Sequence, residues 1–104
     1  MASASKKSKP FDAAKYLVND ETVAEYITEA LLTCDTDMIT HAIGVAAKAR
    51  GMTMVAEHAG LSRESLYKAL SGDGNPQFAT ILRVLTALGL RLRAEPADED
   101  KRAA

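Results

Sequence analysis

A glycine at position 60 separates two short apolar-patterned stretches, and the residues around it leave few folds open to the chain. Two helices that cross at a wide angle through a tight turn need three things: a small residue where their backbones meet, a residue free to adopt positive φ, and apolar anchors beneath both. Residues 52–71, Met-Thr-Met-Val-Ala-Glu-His-Ala-Gly-Leu-Ser-Arg-Glu-Ser-Leu-Tyr-Lys-Ala-Leu-Ser, supply all of them. Ala56 is the small contact, Gly60 the turn, and Val55, Ala59, Leu61, Leu66 and Ala69 the anchors. The spacing predicts a helix-turn-helix over 52–71. Its first helix is capped by Thr53 and stopped by Gly60, its second capped by Ser62 and stopped by Gly72.

Two helices are expected before this unit and one after it. Asn19 and Asp20 cap a helix whose apolar stripe is Val23, Ile27, Ala30 and Leu31, with Glu21, Glu25 and Glu29 on the other face. Asp35-Thr36-Asp37 breaks and recaps the chain, and Met38, Ile39, Ala42, Ile43, Ala46 and Ala47 carry a second helix to Gly51, with Lys48 and Arg50 in its last turn. Beyond the turn Gly72-Asp-Gly-Asn75, Asn75 and Pro76 open the last helix, which runs to Gly89 and buries Phe78, Ile81, Leu82, Leu85 and Leu88. Leu90-Arg-Leu-Arg93 alternates with period two, which predicts a short strand ended by Pro96. It would pair with a second copy, or within the chain with Lys15-Tyr-Leu-Val18. The fold class is thus all-α, five helices with a short C-terminal strand. At 104 residues the chain has room for one core, expected over 11–96, and the polar tails 1–10 and 97–104 are expected to be disordered.

Several function classes find no support. No apolar run reaches the ~20 residues that span a bilayer, and Lys6-Lys-Ser-Lys9 is not followed by an apolar stretch of signal-peptide type, so a cytoplasmic protein is expected. Cys34 is the single cysteine and is expected to be a small buried or half-buried residue. His41 has no second metal-type ligand at i+4, and His58 has no nucleophile in register with it. No enzyme, metal or cofactor is expected.

The net charge of −1 conceals a sorting of opposite charges. Residues 10–43 hold seven acids against Lys15 alone, and residues 44–94 hold seven basic residues against three acids. The first half suits a basic partner and the second suits phosphate. In a helix-turn-helix the second helix enters the major groove of duplex DNA, so Ser62, Arg63, Glu64, Ser65, Tyr67 and Lys68, with Thr53 on the first helix, are the candidate DNA contacts. Arg63 fits a bidentate guanine contact and Glu64 a cytosine contact, while Tyr67 and Lys68 fit backbone phosphate or a flanking base. One recognition helix reads few base pairs, which implies a homodimer on two half-sites.

The chain resembles the Xre-like antitoxins of HigA type, the probable addiction module antidote proteins. The resemblance covers roughly 11–96 and rests on Asp12-Ala-Ala-Lys-Tyr-Leu17, Ala24-Glu-Tyr-Ile27, Ala49-Arg-Gly-Met52, residues 60–76 and Leu85-Thr-Ala-Leu-Gly-Leu90. It implies a five-helix fold of Xre or lambda-repressor-like kind, neutralisation of a small basic toxin, RelE/ParE-like and of HigB type, and repression of the shared operon. The acidic half is then the candidate toxin contact, through Glu21, Glu25 and Glu29 with Tyr16, Leu17 and Tyr26 as anchors. The alternative is a stand-alone Xre-family regulator whose acidic half serves solubility or dimerisation.

Overall fold

The computed structural model describes residues 13–72 and 74–98. Residues 1–10 of the expected N-terminal tail, most of the C-terminal tail and Asp73 lie outside them. Six helical segments follow one another: α1 (Ala13–Tyr16), α2 (Asp20–Leu32), α3 (Thr36–Arg50), α4 (Met52–Ala59), α5 (Arg63–Ala69) and α6 (Phe78–Ala87). The last five match the five expected helices, and α1 is one turn that the sequence reading treated as a possible strand partner.

Local capping chemistry sets most boundaries. The Asn19 side chain accepts from the Thr22 amide at 2.9 Å, and the Thr22 hydroxyl accepts from the Asn19 amide at 3.4 Å, a capping box that starts α2. Asp35 accepts from the Asp37 and Met38 amides and starts α3. Ser62 accepts from the Ser65 amide at 3.0 Å and starts α5. Two expected caps fall elsewhere. Gly51, with φ 107°, both ends α3 and begins α4, leaving Thr53 exposed inside the first turn of that helix. Gln77, not Asn75, is the cap residue of α6. Helix α5 ends at Ala69 rather than at Gly72.

The core is drawn from α2 to α6 and from Leu17 in the link before α2. Leu17, Val23, Ile43, Val55, Leu66 and Val84 are its largest fully enclosed side chains, each worth about 1.5–3 kcal/mol on burial. Ala42, Ala46 and Ala47 on α3 and Ala56 and Ala59 on α4 are buried too, so small side chains let these helices approach closely. Arg50 reaches Asp20 at 3.5 Å, an exposed pair of small energetic weight that ties the end of α3 to the start of α2.

Three expectations are corrected. The buried face of α6 is Val84, Leu85 and Leu88, whereas Phe78 is 67% and Leu82 39% exposed, because the apolar stripe of this helix is wider than the core it covers. Residues 90–93 form no strand among the described residues: a single alternating segment needs an adjacent edge, and Lys15 and Tyr16 are helical. Cys34 is exposed and takes φ 57°, closing the turn between α2 and α3.

The turn from α4 to α5 is over-determined. Gly60 sits at φ 71°, ψ 32°; its amide bonds to the Glu57 carbonyl at 3.1 Å, and that of Leu61 to the Ala56 carbonyl at 2.9 Å. This is the paired bonding of a Schellman stop, which a left-handed residue completes. Arg83 of α6 then donates from Nε to the Ala59 carbonyl at 2.9 Å and from Nη2 to the Gly60 carbonyl at 3.0 Å. A Cβ on Gly60 would lie 2.8 Å from Arg83 Nη2. Gly60→Val is therefore expected to lower unfolding stability by about 1–3 kcal/mol from backbone strain alone. Gly72→Ala, whose added methyl meets nothing within 4 Å, should leave the denaturation midpoint nearly unmoved.

Candidate nucleic-acid interface and acidic face

Helix α5 buries one residue completely, Leu66, and half-buries Ala69, so Arg63, Glu64, Ser65, Tyr67 and Lys68 all stand in solvent beside the cap residue Ser62. Arg63 lies along the helix onto Tyr67: its Nη2 donates to the phenol oxygen at 3.2 Å, and its guanidinium carbon sits 5.5 Å from the ring centroid. The pair presents one flat, cationic, hydrogen-bonding edge whose arginine is pre-ordered by stacking. The Ser62 and Ser65 hydroxyls are 2.9 Å apart at the start of the same helix. Thr53 is exposed on α4. The seven residues singled out for DNA thus share the α4–turn–α5 unit.

Lys48 was not singled out for this surface. From the last turn of α3 it lines a hollow of about 230 Å³ together with Tyr67 and Ser71, which brings a third cation beside α5. Only its place in a basic last turn was legible in sequence, because its proximity to Tyr67 depends on how α3 packs.

The other candidate residues lie on α1, α2 and the link between them. Glu21, Glu25 and Glu29 are exposed along α2, Tyr16 is 36% exposed, and Tyr26 is half-buried. Leu17 is different: it is 1% exposed, a core residue with no surface to offer a partner, so its expected role as an anchor is withdrawn. From Tyr16 to Ala47 the chain carries no lysine or arginine. No group of three or more His, Cys, Asp or Glu side chains that could hold a metal occurs among the described residues, and no helix there is long and apolar enough to cross a membrane. His58 is occupied locally, its Nδ1 lying 3.0 Å from the Met54 carbonyl.

Tyr16 donates its phenol proton to Glu25 at 3.0 Å. That bond, then desolvation, then the negative charges of Glu25 and Glu29, hold the phenol above its ordinary range. The neutral hydroxyl is the form favoured by folding, so its stabilisation is present at neutral pH and is lost as the pH rises through the folded-state value.

Among the described residues, then, a polar helix stands on a fixed turn, and an acidic face is formed by separate helices. The chain belongs to the family of probable addiction module antidote proteins, which it matches over residues 7–96. It is 45% identical over 87 residues, 84% of this chain and 90% of the relative, to an uncharacterized protein of Haemophilus influenzae. No solved structure matches. An antidote family points to an antitoxin role and to a toxin as partner.

The hydrogen bond on the acidic face is directly measurable. In an ultraviolet titration the Tyr16 phenol is expected to ionise above the ordinary tyrosine range, and Glu25→Gln should lower that transition. An unchanged curve would mean that the Tyr16–Glu25 bond is not formed in solution.

Proposed function

We propose that the protein is a DNA-binding antitoxin of a type II toxin–antitoxin module, Xre-like and of HigA type. It neutralises a small basic RelE/ParE-like toxin and represses the operon encoding both. The observation that carries the DNA half is the outward polar face of α5, held on a turn fixed by Gly60 and Arg83. Such a helix, inserted in the major groove, places Arg63 against a guanine edge, with Ser62, Glu64 and Ser65 at neighbouring bases. Tyr67, Lys68, Lys48 and Thr53 then face backbone phosphates, which position the protein without reading sequence.

Antidote-family membership and the unbroken acidic character of residues 16–47 support the toxin half. Glu21, Glu25 and Glu29 steer a basic protein towards α2, with Tyr16 and Tyr26 as contact residues. A homodimer would set two copies of α5 about one helical turn of DNA apart. The exposed Phe78 and Leu82 of α6, with Leu92 of the following segment, provide apolar surface for the seam.

The test is a salt series of binding to the duplex upstream of the gene. Arg63→Ala is expected to cost about 1–3 kcal/mol and to relax preference at one base pair per half-site. Lys68→Ala should weaken binding to all sequences alike and make the salt dependence shallower by about one unit of slope per site. If both folded variants bind like the wild type, α5 does not lie in the groove.

A further inference from the structure

Between α2 and α3, on the acidic half, lies a cleft of about 290 Å³. It is lined by the buried Ala30 and Ala42, the half-buried Tyr26, and the exposed Thr33, Met38 and Glu29. The two alanines leave a hollow where larger side chains would have closed the contact. Met38 is 53% exposed in the first turn of α3, where a capped helix start needs no apolar residue. An unbranched thioether there makes an adaptable contact for an incoming side chain.

The surroundings define the occupant. Glu25 and Glu29 of α2 and Asp35 and Asp37 at the start of α3 are all exposed, with no lysine or arginine anywhere from Tyr16 to Ala47. Nucleic acid and anionic lipid are repelled by such a field, and a second copy docked through this same face would bring the same negative charge against itself. The complementary occupant is a basic protein that inserts an apolar side chain between Tyr26 and Met38 while its lysines and arginines meet the surrounding carboxylates. We propose that this cleft is the docking site for the toxin; the assignment rests on the antitoxin reading above. His41 lines both this cleft and the hollow shared by Lys48 and Tyr67, so α3 separates the two binding surfaces by the width of one helix.

The test uses the full chain and a small basic protein encoded by a reading frame next to its own, with affinity read by calorimetry and folding by thermal melting; a gene with no such neighbour counts against the antitoxin reading and this assignment alike. Met38→Lys is expected to weaken the complex about tenfold or more, as loss of a central contact does. Glu57→Gln, at an exposed position of α4 with no assigned contact, should leave it within about twofold, and Met38→Lys should bind the upstream duplex like the wild type. Should Met38→Lys melt early, Glu29→Lys, at an exposed rim position, carries the same expectation. A folded Met38→Lys that binds the basic protein at full strength overturns the cleft assignment and leaves the antitoxin reading standing. A wild-type chain that fails to bind the basic protein overturns both. If Met38→Lys instead converts a dimer to a monomer in sedimentation, the occupant is a second copy and the assignment falls.

Discussion

The geometry of this molecule turns on two carbonyls. Ala59 and Gly60 end α4, where helix carbonyls lack intrahelical donors, and the Arg83 guanidinium from α6 reaches both. Gly60 supplies the left-handed backbone that reverses the chain, and Arg83 fixes that turn against α6. Because both bonds are charge-assisted and the one to Ala59 is partly buried, the direction in which α5 leaves the turn is set by its packing against α6 and not by the loop alone. A polar helix of only seven residues has little stability of its own, so its proposed use as a reading head depends on this anchorage.

Charge and packing then divide the surface. Helices α2 and α3 meet through alanines and leave an acidic exterior, while the end of α3, α4 and α5 gather Lys48, Arg63 and Lys68 on the other half. The two proposed partners have opposite charge, so each half repels the other's ligand. Helix α3 belongs to both halves, with acids at its beginning and Lys48 and Arg50 in its last turn, an order that also complements its dipole.

Much of this was legible in the sequence wherever the cause is local. Asn19, Asp35 and Ser62 act on amides two or three residues ahead, and Gly51, Gly60 and Gly89 supply positive φ at helix ends, so reading a few neighbours sufficed. The failures have non-local causes. The hold of Arg83 on the turn was missed because its acceptors lie 23 and 24 positions away. Phe78 and Leu82 fit an apolar stripe, yet which part of a wide stripe is buried depends on the neighbours of α6, and these cover Val84 instead. Leu17 looked like an anchor beside Tyr16 and is enclosed by the core. Thr53 looked like a cap, but the chain passes from α3 into α4 through Gly51 alone, which leaves Thr53 one residue inside the helix. The alternation of residues 90–93 was real, but strand formation also requires an edge to pair with.

Mapping of amide chemical shifts addresses the division of surfaces most directly. With isotopically labelled protein titrated by the duplex upstream of its gene, the largest changes are expected in residues 62–68 and around Lys48, with residues 20–32 nearly unmoved. Changes concentrated on 20–32, with 62–68 silent, would place the nucleic acid on the acidic face and contradict the assignment of α5 as the helix that reads DNA.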